Sequence, residues 1–242
     1  MGVNQGRTEA ERWRPPTPLA NIKALAFDAY GTLFDVFSVT ARCEQLFPGS
    51  GAALTQLWRA KQLQYSLLRS LMGRYEDFWQ LTEDALLYAS ESLKLELTAT
   101  TQRQLMDAYL NLAVFSDVGR GLAALKKRGL LLAILSNGAP QMLNAAVKNA
   151  GIDTAFDAII SAHEFKIFKP SPRVYRSACT RLRVAESALG FVSSNSWDIS
   201  GAASAGLTTF WAQRSAGEPA DRLGFPATYV ITSLDDLSRL FG

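Results

Sequence analysis

Asp28 is the first residue whose type and place could do chemistry. It follows Ala24–Phe27, an apolar run with the length and flanks of a buried strand, and Gly31 then lets the chain turn. A carboxylate at the end of a buried strand is costly unless partners hold it. Two later apolar runs also end in polar clusters, Leu130–Leu135 in Ser136-Asn137-Gly138 and Leu189–Val192 in Ser193-Ser194-Asn195-Ser196-Trp197-Asp198. If all three runs are parallel strands, their carboxyl ends meet on one edge, where open α/β sheets bind ligands. The alternative is a solvated turn aspartate among loops that are polar in any case.

The elements that must position these residues follow from periodicity. Residues 38 to about 114 read as wholly helical. Leu54, Leu57, Trp58, Lys61, Tyr65, Leu68 and Leu71 form one stripe at three-and-four spacing. Phe78, Thr82, Ala85, Leu86, Ala89 and Leu93 form a second, and Leu105, Ala108, Tyr109 and Leu112 a third. With Ser38–Phe47 as a shorter first helix, this predicts a four-helix insert. From Val118 strands and helices alternate: a helix over 119–128, a strand over 130–135, Pro140 opening a helix, a strand over 156–160 and a helix over 172–182. Further strands follow over 189–192, 208–211 and 229–231. Short connections between alternating elements predict a doubly wound, Rossmann-like parallel sheet. The expected division is an N-terminal arm over 1–20, a core domain over 21–36 and 115–242, and a helical cap subdomain over 37–114.

Composition bounds the function classes. The 242 residues carry 25 basic and 22 acidic side chains, a net charge of +3, with no dense basic stripe. That balance argues against a nucleic-acid partner. No apolar run reaches membrane-spanning length, and the first 20 residues lack a signal-peptide core, so the expectation is a cytoplasmic protein. Cys43 and Cys179 lie far apart, without metal or redox spacing, and read as reduced structural residues. There is no Gly-x-Ser-x-Gly elbow and no Walker sequence. Gly119-x-Gly121 has the wrong context for dinucleotide binding. His163, the only histidine, reads as a surface residue beside the 166–169 loop.

The segment Asp28-Ala-Tyr-Gly-Thr-Leu-Phe resembles the first motif of the haloacid dehalogenase superfamily. Its phosphatases carry Asp-x-Asp-Gly-Thr, with magnesium held by the first Asp and a later carboxylate. Tyr30 stands where their acid–base Asp would be, as in the superfamily's 2-haloacid dehalogenases. Leu-Ser136-Asn137-Gly resembles the second motif and Lys169-Pro170 the third. Ser193-Ser-Asn195-x-x-Asp198 resembles the dehalogenase form of the fourth, with Asn195 on ground a metal ligand would need. The resemblance runs from about Ile22 to the C-terminus.

The resemblance implies a covalent mechanism. Asp28 attacks the halogen-bearing carbon of a small 2-haloacid, expels halide and forms an ester that water hydrolyses at the Asp28 carbonyl. Halide leaves as a stable anion and needs donors rather than protonation, so no metal and no cofactor are expected. Lys169 would neutralise the surroundings of Asp28, and Asn195 and Asp198 would position and activate the water. Thr32, Tyr175 and Ser193 match supporting positions. Ser136, with backbone N–H groups near Ala29 and Tyr30, would bind the substrate carboxylate, and Arg59 and Asn137 the halide. Phe34, Phe78 and Trp197 are candidates for an apolar lining. L-2-haloacids would give D-2-hydroxy acids, and a homodimer through the cap helices is expected. The competing readings are a phosphatase that lost part of its metal site, and a non-catalytic binding protein on the same fold. Without the resemblance, Arg59 reads as a solvated helix arginine.

Overall fold

The computed structural model describes residues 19–242. The expected arm therefore lies outside the described residues up to 18, and its last two residues belong to a short 3-10 turn, Leu19–Asn21.

In chain order the elements are β1 (Ala24–Phe27), β2 (Phe34–Asp35), α1 (Thr40–Leu46), α2 (Gly51–Leu71), α3 (Phe78–Ser92), α4 (Ala99–Tyr109) and β3 (Ala113–Val114). There follow α5 (Val118–Lys127), β4 (Leu131–Ser136), α6 (Pro140–Asn149), β5 (Ala158–Ser161), α7 (Pro172–Leu182) and β6 (Leu189–Ser193). The chain closes with α8 (Ser196–Ser204), β7 (Thr208–Ala212), β8 (Tyr229–Ile231) and α9 (Leu234–Leu240).

The main sheet runs β5-β4-β1-β6-β7-β8, and every adjacent pair is parallel. This is the doubly wound α/β sheet expected from the sequence. β1 is central, and each of its residues is inaccessible to solvent because sheet partners and helices cover both faces. The strand order reverses at β1, so its carboxyl end opens onto the crevice where such sheets bind ligands.

β2 and β3 form a separate two-stranded antiparallel ladder, with Phe34 opposite Val114 and Asp35 opposite Ala113. The reading of 38–114 as wholly helical thus fails at its end: two residues are too few for alternation to show. The four helices between these strands are the four expected. α3 starts where Asp77 accepts the N–H of Gln80 at 3.0 Å, and α4 where Thr98 accepts that of Thr101, each side chain satisfying an otherwise orphaned donor.

The buried face of α2 corrects the stripe read from sequence. Leu54 and Trp58 are buried, but beyond them the face carries Gln62 and Ser66, while Leu68 and Leu71 are 42% and 76% exposed. A polar buried face escapes a search for apolar periodicity. It also means that this face must satisfy its polar groups from neighbouring side chains.

Candidate active site

The site is built at the carboxyl ends of β1, β4 and β6. Asp28 continues β1, its N–H donating to the Val192 carbonyl at 2.9 Å. The chain then turns back: the Ala29 carbonyl accepts from the N–H groups of Thr32, Leu33 and Phe34. Gly31 allows this turn at φ +94°, where a side chain would be strained. A Cβ at Gly138 would lie 2.7 Å from the Tyr30 ring, so glycine there lets the loop after β4 approach the first motif.

Both oxygens of the Asp28 carboxylate are held. Oδ1 accepts from Lys169 Nζ at 3.0 Å. Oδ2 accepts from Thr32 Oγ1 at 3.0 Å and Asn195 Nδ2 at 2.9 Å. Thr32 in turn accepts the Ser194 N–H at 2.8 Å, which aims its own hydroxyl proton elsewhere. Lys169 bridges to a second carboxylate, with Asp198 Oδ2 at 2.8 Å. Asp198 is fully buried, and receives Tyr175 OH on Oδ1 at 2.6 Å and Ser193 Oγ on Oδ2 at 3.2 Å.

Burial and charge oppose each other here. Burial raises the Asp198 carboxyl, Lys169 pulls it down and Asp28 pushes it up again, leaving it at about 6. Burial alone would lower the Lys169 ammonium, but Asp198 and Asp28 outweigh it and raise it above the usual lysine range. Burial, then the neighbouring Asp198, pushes the Tyr175 phenol well up, so it serves as a neutral donor.

The remaining expected residues stand as follows. Asn137 accepts the Lys169 N–H on Oδ1 at 2.8 Å, which turns its Nδ2 donor away from that bond. Arg59 is not solvated: from α2 it reaches the first-motif loop, with Nη2 on the Tyr30 carbonyl at 3.2 Å. Asn195 Nδ2 shares that carbonyl at 3.2 Å. The N–H groups of Ala29 and Tyr30 donate to no backbone or side-chain acceptor among the described residues. Ser136 is buried at the end of β4, its Oγ accepting from the Gly138 N–H at 3.1 Å. Trp197 is half-buried on the first turn of α8, with no hydrogen bond or ring pair among the described residues. Phe34 and Phe78 pack on the Tyr30 ring, joined by Tyr109 at 5.7 Å between centroids. The Tyr30 hydroxyl is buried without a hydrogen-bond partner.

Three groups of residues have a place in the site that the sequence reading did not give them. Ser194 donates to the Gly31 carbonyl at 2.6 Å. Arg214 holds the Thr32 carbonyl at 2.7 Å and pairs with Asp117 at 2.7 Å, tying the segment after β7 to the first-motif loop. Gln62 and Tyr109 are joined to Arg59. The one sequence signal for Gln62 is its place one helical turn beyond Arg59. His163 stands beside the 166–169 loop as expected, its Nε2 2.8 Å from Lys166 Nζ, but it is not fully at the surface. It is half-buried, and its Nδ1 meets Tyr75 OH at 3.0 Å, because the loop after α2 packs onto the loop that leads to Lys169.

Among the described residues no group of three or more His, Cys, Asp or Glu side chains could hold a metal ion. The two carboxylates that are close share one lysine ammonium, and Asn195 offers Asp28 an N–H rather than an oxygen. That donor set does not fit magnesium, which requires oxygen ligands.

Residues 22–206 match the model of the haloacid dehalogenase-like hydrolases. The chain belongs to this family. It is 49% identical over 220 residues to an (S)-2-haloacid dehalogenase of Pseudomonas sp. (strain YL), covering 91% of this chain and 94% of that one. A solved structure of the L-2-haloacid dehalogenase from Xanthobacter autotrophicus, with chloropropionic acid covalently bound, superposes with a TM-score of 0.86 at 40% identity. That match covers 90% of this chain and 98% of the other. A haloacid dehalogenase-family phosphatase from Thermococcus onnurineus gives a TM-score of 0.62 at 25% identity, covering 91% of this chain and 98% of that one. The fold is therefore common to proteins named for more than one chemistry, and the residues themselves must distinguish them.

Proposed function

We propose that the chain hydrolyses short-chain L-2-haloacids to D-2-hydroxy acids and halide, through an ester on Asp28 and without a metal. The observation that carries this reading is the Asp28 carboxylate, held by Lys169, Thr32 and Asn195 in a site whose donor set suits an anion and not magnesium.

Oδ1 has one donor and Oδ2 has two, so Oδ1 is the freer nucleophile. It attacks the α-carbon in line; the new C–O bond forms as the carbon–halogen bond breaks, and halide leaves with the bonding pair. Arg59 and Asn137 receive its charge. The free N–H groups of Ala29 and Tyr30, with Ser136, hold the substrate carboxylate, and Phe34, Phe78 and Trp197 the alkyl group. Water then attacks the ester carbonyl, the bond from that carbon to Oδ1 breaks, and the hydroxy acid leaves carrying Oδ1 and the proton that Asp198 takes from the water. The developing charge falls on Oδ2, where Thr32 and Asn195 already donate. Asp198, whose carboxyl burial pushes above the ordinary carboxylate range, is suited to take the proton from this water, with Lys169, Tyr175 and Ser193 fixing it in place. The carbon is inverted once, because the second step breaks no bond to it.

Residues 37–114 act as a cap that brings Arg59 over the sheet edge. Leu71 and Met72 at the end of α2, with Tyr88 on α3, are exposed and support a homodimer through this face. No helix among the described residues is long and apolar enough to cross a membrane, and we place the enzyme in the cytoplasm. The test is halide release from 2-chloropropionate in excess chelator, beside phosphate-ester hydrolysis with magnesium. Halide release alone is expected; phosphate release alone would overturn the reading.

A further inference from the structure

Gln62 is completely buried on α2, one turn beyond Arg59. Its Oε1 accepts from Arg59 Nη1 at 2.6 Å and from Tyr109 OH at 2.9 Å. Its Nε2 donates to Thr82 Oγ1 at 2.7 Å, and Thr82 gives its own proton to the Phe78 carbonyl at 2.6 Å. That last bond sets the direction of the others. With its hydrogen committed to the helix carbonyl, Thr82 can only accept, so the amide nitrogen faces Thr82 and the amide oxygen faces Arg59.

A buried amide at this place has a cost that an apolar side chain of the same length would not. What it supplies is a rigid acceptor. Arg59 has five N–H donors. One is anchored on Gln62, within the same helix, and one on the Tyr30 carbonyl, in the loop that carries Asp28. The guanidinium is thereby fixed at both ends of its reach, with the Tyr109 hydroxyl beside it, and no carboxylate neutralises it within salt-bridge distance among the described residues. The neutrality of Gln62 matters as much as its place. A carboxylate would hold Arg59 equally well but would pair with its charge.

We propose that Gln62 is a positioning residue for dehalogenation: it aims the Arg59 guanidinium at the leaving halide while keeping its positive charge available. This rests on the dehalogenase reading above. Gln62 touches no reacting atom; it acts through Arg59. Thr82 and Tyr109 hold Gln62 in turn, so three helices of the cap, α2, α3 and the last residue of α4, determine where one core-facing cation sits.

The test uses Gln62→Met, which keeps length and burial but removes the acceptor, and Gln62→Glu, which keeps the acceptor and adds a charge. Ester formation is timed by rapid quench with 2-chloro- and 2-bromopropionate, and thermal melts report folding. Chloride binding to the resting protein is followed by chlorine nuclear magnetic resonance line broadening. Gln62→Met should slow ester formation from the chloro acid about 100-fold, the loss expected when a catalytic group is misplaced by about 1 Å. Ester hydrolysis should keep its wild-type rate, and the bromo-to-chloro rate ratio should rise, since the poorer leaving group depends more on the donor. Gln62→Glu should slow ester formation and weaken chloride binding. A folded variant with wild-type ester formation overturns the proposal. So does a loss shared equally by both substrates and both steps, which is what a merely structural role gives. If Gln62→Met does not fold, Gln62→Glu decides by the same criteria. If the wild-type protein forms no ester from either acid, the dehalogenase reading fails. The chloride titration then decides the role of Gln62: weaker binding by the variants supports it, and equal binding overturns it.

Discussion

Lys169→Met removes the one cation that lies between two carboxylates. Its Nζ is 3.0 Å from Asp28 and 2.8 Å from Asp198, and the three side chains are 1%, 9% and 0% exposed. Among the described residues neither carboxylate has another basic side chain within salt-bridge distance. One cation against two anions leaves a single negative charge in the site; without Lys169 two remain. Breaking a buried pair by removing one partner costs about 3–5 kcal/mol. For a chain of this size that is a fall of roughly 6–20 °C in Tm. The loss should depend on pH, and its sign follows from Asp198. Its folded value, about 6, already exceeds the ordinary 3.8, and without Lys169 it must rise further. A carboxyl raised on folding binds its proton more tightly in the folded state, so its contribution to stability falls as pH rises through that window. The variant's deficit should therefore widen from about pH 5 to about pH 8, measured by urea unfolding of both proteins at each pH. A deficit below about 1 kcal/mol at both values, the range of exposed ion pairs, would refute the claim that the two carboxylates depend on this lysine.

Two further outcomes test the chemistry. Arg59→Ala should raise the barrier to ester formation by about 2.7–4 kcal/mol, by analogy with loss of one oxyanion donor, and leave ester hydrolysis near its wild-type rate. Rapid-quench detection of the esterified protein checks this, and unimpaired ester formation with slowed breakdown would place Arg59 elsewhere. The rate of ester hydrolysis should fall in acid with a midpoint below about 6, since Asp198 accepts a proton only when ionised and the esterified Asp28 no longer carries the charge that pushes Asp198 up to about 6 in the resting enzyme. Single-turnover rates across that range check it, and a flat profile would remove Asp198 from the role of base.

The fold was legible because its parallel strands are buried on both faces and read as continuous apolar runs, each bounded by turn residues. β6 was placed almost to the residue for this reason, and α7 through the proline at its first turn. The two-residue ladder of β2 and β3 was not, since pairing over two positions leaves no period. Asp28, Lys169, Asn195 and Asp198 were legible through motif resemblance, and the structure brings them into one hydrogen-bonded cluster. Arg59 needed that resemblance too, as nothing in helix spacing separates a solvated arginine from one that reaches a neighbouring loop. Gln62, Thr82 and Arg214 were illegible for a related reason. Each is polar, and its role depends on partners that only tertiary packing supplies. The Tyr75 contact of His163 was illegible on the same ground, since the two are 88 residues apart in sequence.

The proposed reaction turns on esterification of Asp28. The most direct test is a single turnover in water enriched in heavy oxygen, with enzyme in excess over 2-chloropropionate, followed by mass spectrometry of the product and of the peptide containing Asp28. The first hydroxy acid should take its new oxygen from Asp28, so the product is unlabelled and the Asp28 peptide gains the label. Label in the first-turnover hydroxy acid, with none in the peptide, would mean that water attacks the carbon itself, and the covalent mechanism would be wrong.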